Sequence, residues 1–322
     1  MPKRYLPPLL TLLLLLVTAL PALAAPAPLP FADLPETHWA HSAVSQLLAA
    51  GVVAPNPQGA FRPEQPVRRA ELVKMLLLAR GVDPGTQCQG LFKDAPCSAW
   101  YTPVMETGYR LGVVDGTGTG LVNPEDSVTR EQLFTLVVRA LGRRWEAESL
   151  SWSEQHEPLA RFSDQGSVDG WARPALALAV KAKITAGYED GTLRPQAMAS
   201  RAEAAAVVAR VLLPKDGIST TKADGRTVTF ARALTMSASE YSPGEAGVGA
   251  YTYTGMLVHV GIAAVDPQVV PLGKLLYVEG YGYAVAADIG GAIKGNRIDL
   301  YTPNASEALQ FGLQPRTVWV LP

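Results

Sequence analysis

Only two cysteines and four histidines occur in the 322 residues, and no basic run interrupts a formal net charge of −1. Each scarcity excludes a class. His38, His41, His156 and His259 are dispersed, and Cys88 and Cys97 have no histidine at ligand spacing, so no metal centre is expected. Without a basic run, nucleic acid and anionic membrane surfaces are poor partners. No serine sits in a nucleophile elbow. No glycine-rich stretch follows a strand and opens a helix as a nucleotide site does; Gly116-Thr117-Gly118-Thr119-Gly120 falls in a repeat loop. No cofactor is expected. Beyond the N-terminus, no apolar run has the length of a membrane span.

What is there begins with an export signal. MPKRYLPPLLTLLLLLVTALPALAAP opens on Lys3 and Arg4, runs apolar from Leu9 to Val17, and reaches an A-x-A pattern at Ala22-Leu23-Ala24. Residues 1–24 are expected to be a signal peptide; a retained anchor is the alternative, for which the run is short. The mature chain is then soluble outside the cytoplasm, with no membrane insertion after signal cleavage. In that oxidising setting a disulfide between Cys88 and Cys97, stapling GVDPGTQCQGLFKDAPC, is the default and two free thiols the alternative. A hydrophobic content of 48% suits compact domains, and about 300 mature residues suit two or more of them.

The first two-thirds of the chain repeat internally. FADLPETHWA, LFKDAPCSAW and RFSDQGSVDGWA each place Phe, Asp and Trp in that order. Trp39, Trp100 and Trp171 are spaced 61 and 71 residues apart. So are Arg69, Arg130 and Arg201 in FRPEQPVRRAE, VNPEDSVTREQ and LRPQAMASRAE. Equal offsets mean that each unit is internally constant; the extra residues before the third belong to an insertion, RRWEAESLSWSEQHEPLA. Each unit reads as helix, Gly/Asp/Pro loop, helix. Thr129 and Ser200 are placed to cap the second helices of their units, a position that Arg68 takes in the first. One unit cannot bury its apolar face alone, whereas three together can.

The recurring F-x-D, W-A, loop and T-R-A-E landmarks resemble the S-layer homology (SLH) repeat, over residues 31–81, 91–142 and 161–213. The resemblance implies an all-α, pseudo-threefold repeat bundle that holds a protein non-covalently to secondary cell-wall polysaccharide. It implies that Arg69, Arg130 and Arg201 line grooves between units and grip acidic, pyruvylated sugar, since a guanidinium offers a planar fork to a carboxylate. Trp39, Trp100 and Trp171 either stack on sugar rings or fill core at the helix starts. Asp33, Asp94 and Asp164 are expected to serve structure, capping helices or pairing with the arginines. The loops depart unequally from the family's G-Y-x-D-G-T-F-R-P. The third is nearly complete, the second reads VVDGTGTGLVNP, and the first, VVAPNPQGAFRP, lacks the Gly-x-x-Asp-Gly core. A groove built on the first loop is therefore expected to be weak or empty.

Residues 214–225 read as a polar linker. Over residues 226–322, TVTFARAL, LLYVEG, YAVAAD, RIDLY and TVWVLP read as short strands of a small closed, all-β barrel. GIAAVDPQVVPLGKLLYVEGYGYAVAADIGGAIKGNRIDLY closely resembles the three-aspartate (3D) domain. That domain is similar in turn to the catalytic double-psi β-barrel of the membrane-bound lytic transglycosylase A family. The three acids correspond to Asp266, Asp288 and Asp299. The resemblance extends from about Ala238-Ser239-Glu240-Tyr241 through Thr252-Tyr253-Thr254-Gly255 to the final TVWVLP. The usual D-T-G-G is D-I-G-G here, with Ile289 in place of the hydroxyl; the transglycosylase relatives tolerate an aliphatic residue there.

Strand alternation places Arg297, Asp299 and Tyr301 on one face of RIDLY and Ile298 and Leu300 on the other. The same alternation puts Asp288 on the face of Ala284 and Ala286, with Gly290, Gly291 and Gly295 allowing the turn between the acids. By resemblance, Asp299 is the single acid–base residue that cleaves the MurNAc–GlcNAc β-1,4 bond of peptidoglycan to a 1,6-anhydro product. One carboxyl cycling between acid and base suffices, where a hydrolase needs a second group. Its pKa must rise from about 4 toward 6, which partial burial beside Asp288 would supply. Asp266, before Pro267, serves either a turn or the groove; Lys294 is either a groove cation or a turn residue. The expectation is a secreted, envelope-associated lytic transglycosylase. A wall protein that recognises or loosens glycan without cleavage is the alternative, and a hydrolase leaving reducing ends the third reading.

Overall fold

The computed structural model describes residues 31–213, 219–223, 226–245 and 247–322. The signal expected over residues 1–24 lies outside them. In the repeat region the chain forms α1 (His41–Ala49), α2 (Arg69–Ala79), α3 (Thr102–Arg110) and α4 (Arg130–Ala140). The insertion holds two short helices, α5 (Arg144–Glu148) and α6 (Trp152–His156), and the third unit forms α7 (Arg173–Lys181) and α8 (Arg201–Leu212). Helices this short are marginal alone, so end groups and packing hold them. The Thr129 and Ser200 hydroxyls accept the N–H groups of Gln132 and Glu203 at the starts of α4 and α8. Arg68 has no acceptor to offer α2, and only the reciprocal bond remains, from its N–H to Glu71.

Each F-x-D acid closes its own unit. Asp33 accepts the N–H groups of Phe61 and Arg62, Asp94 those of Val122 and Asn123, Asp164 those of Leu193 and Arg194. Arg62, Asn123 and Arg194 carry φ of 60°, 49° and 52°, a left-handed backbone that is unfavourable for non-glycine residues and is held here by the carboxylate. Between units, the N–H of Val67 bonds to Ala199, that of Ala199 to Val128 and that of Val128 back to Val67, a closed ring of backbone bonds. Each second helix also starts against the next unit's loop. The N–H of Arg69 reaches the Asp126 carbonyl, that of Arg130 the Ala197 carbonyl and that of Arg201 the Gln65 carbonyl. Helix-start donors that a lone unit would leave unmet are thus satisfied by its neighbour. Cys88 and Cys97 form a disulfide, and the buried Glu106 carboxylate of α3 ties that loop down through the N–H groups of Gln89 and Leu91.

Further on, β1 (Ser219–Ala223) pairs antiparallel with β2 (Arg226–Phe230), so ordered strand lies inside the stretch read as linker. Then follow β3 (Arg232–Tyr241), β4 (Ile262–Val265), β5 (Leu275–Val278), β6 (Gly282–Asp288), β7 (Arg297–Tyr301), α9 (Ala305–Phe311) and β8 (Gln314–Val320). Six strands close a barrel in the order β3-β7-β4-β6-β5-β8. Its interior holds Ala263, Ala284, Ala286, Ile298, Leu300 and Val318.

The barrel rests on the helices. Ile262, Leu275, Tyr277 and Val285 share one buried apolar cluster with them. The Tyr283 hydroxyl donates to the Gly81 carbonyl and accepts the Asp83 N–H. His259 lies in the loop before β4, its ring 5.6 Å from that of Tyr109. Gly142 and Gly273 bring the two backbones together so closely that a Cβ on either would overlap the other's carbonyl. Among the described residues, no helix is long and apolar enough to cross a membrane.

Candidate active site and wall-binding surface

β7 lies parallel to β3 and antiparallel to β4, which sets Asp299 between Ser239 and Ala264. Ile298 and Leu300 fill the barrel, so Asp299 points outward, as alternation predicts. The Ser239 hydroxyl donates to Asp299 Oδ1 at 2.7 Å. Burial raises the Asp299 carboxyl above its ordinary 3.8 and Glu245 adds to the rise, while the Ser239 bond and Arg297 oppose it. The nearby acid that lifts it is Glu245, where Asp288 was expected.

Asp288 arrives by a different route from the one alternation gives. The β4–β6 pairing sets Ala263 opposite Ala286 and then Ala264 opposite Asp288, so Ala287 is an extra residue. Ala284 and Ala286 face the interior; the register shift takes Asp288 off their face and out beside Ala264. Asp288 and Asp299 therefore flank the same alanine on one outer surface, about 10 Å apart at the backbone, two strand spacings. Ala264, which is buried, puts only a methyl group between them. Asp288 Oδ1 accepts the N–H groups of Tyr253 and Ile289, each at 2.9 Å. Thr254 holds the same strand end, its N–H and hydroxyl both on the Ala287 carbonyl. The Tyr253 ring meets Trp145 of α5 at 5.3 Å, so the insertion between repeats touches the loop that orients Asp288.

Asp266 belongs to a turn. Its two oxygens accept the N–H groups of Gln268 at 3.0 Å and Gly295 at 2.7 Å, and these bonds, the Gly295 one foremost, hold its carboxyl below the usual range. Lys294 is exposed beside Gly295, in the turn before β7. Sequence reasoning assigned no role to Tyr241. It is buried against Tyr301 at 5.4 Å, and its hydroxyl has no partner among the described residues. Burial, then the charge of Asp288, push its pKa up, with Asp299 contributing, so a neutral phenol stands near both acids. Ser239, Tyr241 and Tyr253 lie in segments that carry the resemblance and Glu245 does not; all four reach the site through strand pairing and loop packing.

On the helices, Arg130 pairs with Glu203 at 2.8 Å and Arg201 with Glu71 at 2.7 Å, while Arg69 donates to the Asp115 carbonyl at 3.0 Å. Trp39, Trp100 and Trp171 are 62%, 52% and 53% exposed and fill no core. Among the described residues, no cluster of three or more His, Cys, Asp or Glu side chains is arranged to hold a metal.

Three helical units joined in a ring, with a six-stranded barrel docked on them, define a repeat protein bearing a separate acid-lined barrel. Family models name both parts. The S-layer homology domain matches residues 30–73, 91–134 and 161–205, and the 3D domain matches residues 262–322. The chain carries three S-layer homology repeats followed by a 3D domain. It is 46% identical over 92 residues to the cell wall-binding protein YocH of Bacillus subtilis, covering 27% of this chain and 32% of that one. It is 32% identical over 181 residues to an amylopullulanase of Thermoanaerobacterium thermosulfurigenes, covering 56% of this chain and 9% of that one. Among solved structures, MltA from Escherichia coli, described as having a lytic transglycosylase fold, is similar at 27% identity over 24% of this chain and 29% of that one, with a TM-score of 0.21. The chain spans about a third or less of the length of these curated relatives.

Proposed function

We propose that the protein is exported, held at the cell envelope by a pseudo-threefold SLH bundle that binds acidic, pyruvylated wall polysaccharide, and cleaves peptidoglycan as a lytic transglycosylase. In this reading residues 1–24 are the leader, residues 214–225 join the two bodies, and residues 226–322 form a double-psi barrel that needs no cofactor.

The observation that carries the reading is the contrast between Asp299 and Asp288 on one outer surface. Asp299 is half-buried, short of donors and raised in pKa, which is what a general acid needs. Asp288 is oriented by two backbone donors. The Asp299 proton passes to the glycosidic oxygen as the bond from MurNAc C1 to that oxygen breaks, and the GlcNAc hydroxyl leaves. The positive charge developing at C1 and the ring oxygen faces the Asp288 carboxylate. Asp299, now ionised, takes the proton of the MurNAc 6-hydroxyl while O6 bonds to C1. The 1,6-anhydro ring closes, and Asp299 is protonated again.

The test uses the full mature chain on purified peptidoglycan, with fragments weighed by mass spectrometry beside Asp299→Asn. Muropeptides lighter by one water, absent with the variant, are the expected result; reducing ends would replace the mechanism with hydrolysis. The relative named for wall binding supports a second reading, a barrel that holds glycan without cutting it. Glycan binding with no fragment released by folded protein would establish that one instead.

A further inference from the structure

Among the described residues two arginines are buried, Arg80 at 3% exposure and Arg130 at 7%. Arg130 shows how such a charge is ordinarily kept: it donates to the Leu193 carbonyl and pairs with Glu203 at 2.8 Å. Arg80, at the end of α2, has no such arrangement. Its side chain makes no hydrogen bond or ion pair with a described residue, and its Nε and Nη2 are shut off from solvent without an acceptor. Burial pulls its pKa down to about 10, and no carboxylate opposes the fall. The C-terminus of α2 offers only the diffuse partial charge of its last carbonyls.

Across the seam, Lys274 stands half-buried just before β5, next to the Gly273 backbone that meets Gly142. Burial lowers its pKa as well, and the charges acting on it, those of Arg80 and Arg232, have its own sign. The two bodies thus meet with like charges facing each other. Arg80 and Lys274 line one cavity of about 570 Å³, walled by Leu141, Trp145, Val211 and Leu272 among others. Arg143 and Glu146 also reach it but satisfy each other through two bonds of 2.6 Å. Pro322, the last residue, lines it and pairs with neither free cation. Even with its carboxylate counted beside Glu146, the cations Arg80, Arg143 and Lys274 are in excess. A buried cation without a partner is destabilising, and an anion beside it offsets that.

We infer that this cavity binds a small organic acid, its carboxylate held between Arg80 of the helical body and Lys274 of the barrel. Guanidinium and ammonium both donate to carboxylates, and Leu141, Val211 and Leu272 receive the apolar part of the ligand. The bound acid turns a repulsion across the seam into an attraction to both sides, and so ties the barrel to the helices. The site is separate from the barrel's acids and from the arginines of the repeat landmarks, and it stands independently of the activity proposed above.

The full mature chain is titrated calorimetrically with hexanoate and, separately, with inorganic phosphate, at constant ionic strength in chloride buffer. Arg80→Met and Lys274→Met, which drop the charge and keep an apolar stem, are measured beside it. The parent should bind hexanoate at a single site and melt higher as hexanoate is added. Each variant should bind it about tenfold or more weakly. Without ligand, Arg80→Met should melt no lower than the parent, since it removes a buried charge that has no partner. Lys274 is only half-buried, so its variant tests the site without disturbing the core. No binding of hexanoate by the parent, or equal binding by the folded variants, overturns the site. Phosphate binding tighter than hexanoate overturns the assignment to an organic acid. A ligand-free Arg80→Met that melts below the parent would mean that the charge is already compensated, and would overturn it too.

Discussion

The helical body and the barrel use aspartate differently. Asp33, Asp94 and Asp164 each receive two backbone N–H groups and hold a left-handed loop residue in place. In the barrel, Asp266 and Asp288 also receive two each, but Asp299 receives a single serine hydroxyl. Donors favour the charged carboxylate and burial disfavours it. Asp266 is accordingly held low and Asp299 raised. All six acids sit in family motifs, so motif membership does not separate scaffold from chemistry; Asp299 is set apart by having one side-chain donor where the others have two backbone donors.

The largest expected effect is at the acid with the fewest donors. Asp299→Asn should lower peptidoglycan cleavage by about 10²–10⁴-fold, the range of general acid–base contributions, with wall binding unchanged. A general acid must be protonated, so kcat/KM of the parent should fall as pH rises through a pKa above the ordinary 3.8. Ser239→Ala removes a bond that lowers this pKa and should move that limb to higher pH. The linkage to stability has a fixed sign. A carboxyl raised in the folded state stabilises the fold below its unfolded pKa, and that contribution is lost as pH rises through the folded pKa. Asp299→Asn should therefore melt above the parent at neutral pH, with the gap narrowing in acid. A variant that melts lower at neutral pH would place Asp299 with the structural acids.

A second prediction tests whether the helical body's loops matter to the barrel. Cys97→Ser opens the short loop from Cys88, which costs about 2–4 kcal/mol of stability. The Glu106 anchor to Gln89 and Leu91 remains. Calorimetry should show the helical transition moving down while cleavage below that transition stays at the parent rate.

Much of this contrast is legible in the amino-acid order. The repeat landmarks reveal three units because their offsets are equal, and Ile298 and Leu300 mark the inner face of β7 through simple alternation. Asp288 escapes the same logic, since one extra residue, Ala287, moves it to the opposite face and register shifts leave no local pattern. Ser239 and Glu245 are equally hidden, because their importance comes from a parallel strand pairing and a turn brought close in space. The arginines look alike in sequence. Their partners, Glu203 for Arg130, Glu71 for Arg201 and the Asp115 carbonyl for Arg69, come from the next unit and distinguish them.

The smallest expected effect concerns the seam between the bodies. Trp145 sits on a helix of five residues inside the insertion, and its ring meets Tyr253, whose N–H orients Asp288. An aromatic pair contributes about 0.5–1.5 kcal/mol beyond area burial, so Trp145→Ala should slow cleavage roughly two- to tenfold if that contact steadies Asp288. Trp145→Phe should recover most of the rate. Wall binding should not change, because Trp145 belongs to the insertion and not to the repeat landmarks. The deciding readout is kcat on the full chain at constant melting temperature. A rate equal to the parent's would mean that the helices hold the barrel in place without shaping its acids; a lower rate, rescued by phenylalanine, would make the anchoring body part of the site it carries.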